Sequence, residues 1–71
     1  KNDRFVLRQN LTNRELEILE WIVKGLTNRQ IAKELYISDQ TVGVHKKNIM
    51  KKLEVNSTAA LIKTVEDNKL I

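Results

Sequence analysis

Thr12 and Thr27 each stand three residues ahead of a side chain able to reach back to them, Glu15 and Gln30. At this spacing the hydroxyl accepts a free backbone N–H at a helix start, and the Glu or Gln accepts one from the cap, so each pair predicts a helix N-terminus. Ser38 followed by Asp39 marks a third start, a hydroxyl cap with an acid in the first turn. Proline is absent and glycine occurs only at Gly25 and Gly43, too few for the many turns of a sandwich or barrel. The chain is therefore read as all-α, a compact four-helix domain.

Apolar spacing fills in the helices. In the first, Leu16, Leu19 and Val23 form the stripe with Ile18 and Ile22 beside them and Trp21 at its edge. Leu11 is placed to staple against Leu16, and Lys24-Gly25 ends the helix. The second is short, about two turns, with Ile31, Ala32 and Leu35 inward. After Tyr36-Ile37-Ser38 the third runs from Asp39 to about Leu53, with Val42, Ile49 and Leu53 inward and Met50 at the margin. Asn56-Ser57 opens the fourth, where Leu61, Ile62 and Val65 face the core and Leu70 and Ile71 close over it. Residues 1–10 show no sustained period and are read as a linker or N-terminal arm whose Phe5, Val6 and Leu7 dock on a domain spanning 11–71. A short helix and a longer one across a three- or four-residue turn make a helix-turn-helix, placed at about 28–47. The first residue is Lys1 rather than methionine, which predicts a piece of a longer protein.

Composition excludes more than it selects. A domain of 71 residues buries only about 60% of its unfolded surface, leaving little room for a deep catalytic pocket. There is no cysteine, so disulfide frameworks, zinc fingers and thiol nucleophiles are ruled out. His45 is the single histidine, has no partner at ligand or catalytic spacing, and is read as a packed, hydrogen-bonded side chain. With no glycine-rich phosphate loop either, no enzyme, metal site or cofactor is expected. No apolar run approaches the roughly 18 residues of a membrane span, and a cytoplasmic, membrane-free protein is expected. The net charge of +4 is modest, so where the charge lies matters more than its sum.

It lies on the third helix. Val42, Ile49 and Leu53 fall within about 20° of one direction at 100° per residue. Gln40, Gly43, Val44, Lys47, Lys51 and Glu54 take the other side, and from Gln40 to Lys51 that side carries no acid. An amide can bridge an adenine edge, a lysine can donate to guanine, and a valine can meet a thymine methyl, so this set suits the major groove of duplex DNA. Gly43 costs about 1 kcal/mol of helix stability against alanine, which points to a close approach. Lys46 and Lys52 flank the face toward phosphates, and Thr27 and Asn28 open the second helix, where free N–H groups attract anions. Each feature also has an ordinary reading: a lysine run is commonly a solvated face, and Thr27 and Asn28 are commonly caps.

Taken in order, Leu11-Thr12-Asn13-Arg14-Glu15-Leu16-Glu17-Ile18-Leu19, Gly25-Leu26-Thr27-Asn28-Arg29-Gln30-Ile31-Ala32, Ile37-Ser38-Asp39-Gln40-Thr41-Val42, His45 and Asn48-Ile49-Met50-Lys51-Lys52-Leu53 resemble the LuxR-type helix-turn-helix domain of bacterial response regulators and quorum-sensing activators. The resemblance runs from Leu11 to Ile71. It implies that the third helix enters the major groove, that Gly43, Val44 and Lys47 look toward base edges, and that Thr41, Lys46 and the start of the second helix look toward phosphates. It also implies a weak two-fold homodimer formed on DNA through the fourth helix, with Ala59, Lys63 and Glu66 on its exposed side and Lys63 meeting Glu66 across the dyad. A receiver or sensor domain N-terminal to the chain is implied as well. Three positions depart from the family pattern. Gly43 replaces a common long side chain, Glu54 replaces the usual glycine after the third helix, and Thr58 replaces a common arginine, which predicts loss of a buried ion pair. Two other readings stay open: the C-terminal promoter-reading domain of a sigma factor, with RNA polymerase as partner, and a protein-interaction module with a basic helix face.

Overall fold

The cap signals seen in the sequence are the hydrogen bonds that start the helices. The computed structural model of the chain describes the backbone of residues 4–71 and the side chains of residues 7–71. Five helices follow one another: α1 (Arg4–Gln9), α2 (Asn13–Val23), α3 (Asn28–Leu35), α4 (Asp39–Lys52) and α5 (Thr58–Asp67), with no strand among the described residues. Thr12 Oγ1 accepts from Glu15 N at 3.1 Å while Thr12 N donates to Glu15 Oε1 at 3.0 Å. Thr27 and Gln30 repeat the exchange at 3.2 and 2.9 Å. Ser38 Oγ accepts from Thr41 N, and Ser57 Oγ from Ala60 N, each at 3.1 Å.

Four helices were expected, and α1 is the addition. Its six residues are too few to display a period, and it is held from outside: Leu7 packs on the core and Arg8 Nη1 donates to the Leu70 carbonyl. The side chains of Phe5 and Val6, expected to dock beside Leu7, lie outside the described residues.

Ile18, Leu19, Ile31, Val42, Ile49, Leu61, Val65 and Leu70 are fully buried in one cluster. α4 packs against both α2 and α3, and α5 adds Leu61 and Val65 from the far side. In α2 the buried stripe is rotated from the expected one, with Ile18, Leu19 and Ile22 inside while Leu16 and Val23 are half-buried. Glu15 is buried on the same face although charged. Its carboxylate accepts from Thr12 N and from Lys52 Nζ at 2.8 Å, a contact made 37 residues along the chain. Burial by itself pushes the Glu15 carboxyl up. The Lys52 hydrogen bond, the Thr12 N–H and the charges of Lys52 and His45 outweigh it, so the group sits below its ordinary value. A partly buried ion pair thus ties α4 to α2. Leu70 closes over the core as expected, whereas Ile71 stays outside it.

The ends of α2, α3, α4 and α5 share one device. Gly25, Tyr36, Glu54 and Lys69 have φ of 94°, 58°, 58° and 51°. The next N–H then bonds back across the last turn: Leu26 to Trp21 O at 3.2 Å, and Ile37 to Ala32 O, Val55 to Met50 O and Leu70 to Val65 O at 3.0 Å. Each residue so placed is apolar and packs on or in the core. This is the pairing of a left-handed residue with a following hydrophobic contact that ends many helices. Glu54, where the glycine was missing, therefore keeps the glycine-type turn.

Candidate nucleic-acid interface

α3, the Tyr36-Ile37-Ser38 turn and α4 form the helix-turn-helix, and their packing decides which side chains are left facing outward. Val42 and Ile49 of α4, and Leu53 at its cap, are buried against the other helices. That leaves Gln40, Val44, Lys47 and Lys51 exposed along one side, as the helical spacing requires. Val44 is 59% exposed, an apolar side chain standing among cations. After Asp39 the helix contains no acid as far as Lys52.

The remaining predicted positions divide. Thr27 and Thr41 are exposed at the starts of α3 and α4, and the Thr41 hydroxyl also lies 2.8 Å from Ser38 Oγ. Asn28 is half-buried. Gly43, expected on the open face, is half-buried because the start of α3 lies beside it: a Cβ built there would stand 3.8 Å from Asn28 Nδ2. Lys46, one turn on from Val42, is half-buried at the flank of the open face. Lys52 is committed to Glu15 and fixes the last turn of α4 to the first turn of α2. On α5, Ala59, Lys63 and Glu66 are exposed, and Lys63 Nζ lies 3.5 Å from Asp67 Oδ2 within the same helix. His45 is half-buried on α4 and contributes to the field at Glu15.

One surface escaped the sequence reading. An open depression lies along α3 and the turn, lined by Arg29, Gln30, Ala32, Lys33, Ile37 and Asp39. Arg29 and Lys33 are four residues apart and both exposed, the spacing that places two side chains on one face. Tyr36 at the end of α3 is 93% exposed in a left-handed conformation, so it contributes almost no burial to the fold. Among the described residues no helix is long and apolar enough to cross a membrane.

Comparison with known proteins agrees with this arrangement. The chain is 51% identical over 63 residues to an Escherichia coli protein named "Uncharacterized response regulatory protein YgeK", covering 89% of this chain and 43% of the relative. It is 46% identical over 61 residues to the Haemophilus influenzae "Nitrate/nitrite response regulator protein homolog", covering 84% and 29%. Among solved structures, the response regulator StyR superposes with a TM-score of 0.84 at 47% identity, covering 90% of this chain and 32% of that one. The chain thus spans less than half the length of each of these proteins. The family described as "Bacterial regulatory proteins, luxR family" matches residues 9–65. With its capped helix-turn-helix, its all-helical core and an acid-free outer face on α4, the chain belongs to that family of DNA-binding regulators.

Proposed function

We propose that the chain is the sequence-reading output domain of a response-regulator type transcription factor, working in the cytoplasm with α4 in the major groove of duplex DNA. The observation that carries this is the outer face of α4. Between Gln40 and Lys52 it has no acid, and it sets the exposed Val44 among an amide and cations. Gln40, Val44 and Lys47 are the base-reading side chains, with Gly43 letting the backbone come close. Lys51 and Lys46, together with Thr41, Thr27 and Asn28, hold phosphates and set the helix in register. The printed names of the relatives support the regulator assignment, and their greater length supports a receiver or sensor domain N-terminal to this one.

α5 offers Ala59, Lys63 and Glu66 as a two-fold contact of small and charged groups, which suits a weak dimer that forms on DNA. RNA polymerase is the partner on which such a dimer would act. Preferred sites selected from random duplexes should then contain inverted half-sites with centres about 10 base pairs apart. Lys51→Ala should weaken binding to every duplex and lower the slope of log affinity against log salt by about one unit, whereas Lys47→Ala should weaken binding most on the selected site and relax its sequence preference. Selected sites without two-fold repetition would remove the dimer, and an unchanged slope in Lys51→Ala together with unchanged affinity and preference in Lys47→Ala would remove α4 from the groove.

A further inference from the structure

Gly43 lies inside a fourteen-residue helix without the usual reasons for a glycine. Its φ is not positive, so the backbone conformation does not ask for it. Internal packing does not ask for it either, because a Cβ there would meet only the Asn28 carboxamide, at ordinary van der Waals distance. A glycine that costs helix stability and is not needed by the folded chain is spent on something outside that chain.

Asn28 is the other half of the arrangement. It is the first residue of α3, just inside the cap, and the capping is done by Thr27 and Gln30 in both directions. The Asn28 side chain makes no hydrogen bond with another described residue, and it is not sealed from water. It rests half-buried against the bare stretch of α4 at Gly43, next to Val44. A side chain longer than alanine at position 43 would extend from a Cβ already in van der Waals contact with this carboxamide.

Building on the groove reading of α4, we infer that Asn28 and Gly43 form one recognition unit, in which the missing side chain at 43 leaves the Asn28 carboxamide open to donate a hydrogen bond to an acceptor oxygen or nitrogen of the DNA. The bond at this point of the interface therefore comes from α3, and residue 43 acts as a specificity-determining position by what it lacks. The acceptor is a phosphate oxygen or the edge of a base, and the two differ in how sequence enters the result. A phosphate contact is lost equally on all duplexes, whereas a base contact is lost only on the preferred one.

The test is a double-mutant cycle on the whole 71-residue chain, read by fluorescence anisotropy with two duplexes. One duplex is the site selected from a random pool, and the other is a random-sequence duplex at low salt. Asn28→Ala should weaken binding about five- to tenfold, the size of one hydrogen bond. In the Gly43→Met background, where a long uncharged side chain covers the carboxamide, the same change should matter less than about twofold on the same scale. In the Gly43→Ala background the full Asn28 effect should persist. Loss on both duplexes identifies a phosphate, and loss confined to the selected site identifies a base. Thermal melting of each variant controls for folding. An Asn28→Ala effect that is absent, or that is equal in the parent and Gly43→Met backgrounds, overturns the inference. If Lys47→Ala weakens binding in the same assay, the groove reading survives that failure; if Lys47→Ala also has no effect, both fall.

Discussion

α2 and α4 are both amphipathic and each buries one face in the same core, but their outer faces differ. Outside, α2 carries Arg14, Glu17 and Glu20, and Arg14 pairs with Glu17 at 3.2 Å. At its end Lys24 lies 4.9 Å from the Trp21 ring centre. These are mixed charges that satisfy one another, as on any helix turned to water. α4 has cations, an amide and an exposed valine on its outer side, and no acid to neutralise them. The inner faces differ the other way: that of α4 is apolar, while that of α2 holds the buried Glu15. A helix whose inner face does all its folding work is free to carry an outer face that serves only a partner.

The largest expected effect lies on the inner side of α4. Leu53→Ala should destabilise the domain by about 2–5 kcal/mol, a large share of the total for a domain this small. Its thermal midpoint should fall sharply, and a parent-like midpoint would mean that the two faces of α4 have been assigned the wrong way round.

Next comes the tie between the two helices. Lys52→Ala leaves the buried Glu15 carboxylate with Thr12 N as its remaining donor. Because Lys52 is itself partly exposed, about 1–3 kcal/mol is the expected loss. The pH dependence gives a sharper check. Since the folded pKa of Glu15 is depressed, its contribution is complete above the ordinary carboxylate range and is lost as pH falls through the folded value. Denaturant midpoints measured from neutral pH into acid should therefore decline less steeply in Lys52→Ala than in the parent.

Val44→Ala should separate the faces most directly. Being largely exposed, Val44 contributes little to folding, so the midpoint should hardly move. Discrimination at one base pair should fall by about 1 kcal/mol, with binding to unrelated duplexes kept. Equal losses on every sequence would show that the valine packs against sugar or phosphate. The smallest effect is Glu54→Gly, which relieves a left-handed side chain and should stabilise by up to about 1 kcal/mol with DNA binding unaltered.

Features set by neighbours three or four residues away could be read from the chain. Thr12 with Glu15, Thr27 with Gln30, and Ser38 each report a helix start through bonds that close within one turn, and the inward set Val42, Ile49 and Leu53 follows from helical period alone. What escaped depends on distance along the chain. The burial of Glu15 requires Lys52, and the surroundings of Gly43 require Asn28, which belongs to a different helix. The capping role of Glu15 also masked its second partner, since a residue with one local duty gives no sign of another. The left-handed turns did leave a trace: Gly25-Leu26, Tyr36-Ile37, Glu54-Val55 and Lys69-Leu70 each set an apolar residue directly after the last helical turn, and only the first has glycine to announce it.

The bond from Arg8 to the Leu70 carbonyl joins positions 62 residues apart, so it closes nearly the whole chain into a ring. Many contacts in a bundle of short helices are local, but this one requires both ends of the chain to be brought into place. It is therefore expected to form after the rate-limiting barrier. An interaction of that kind leaves the folding rate nearly unaltered and slows unfolding. Its effect is on how long the folded domain persists once formed, and hydrogen exchange at the start of α1 and at the end of α5 should report a single opening shared by the two ends.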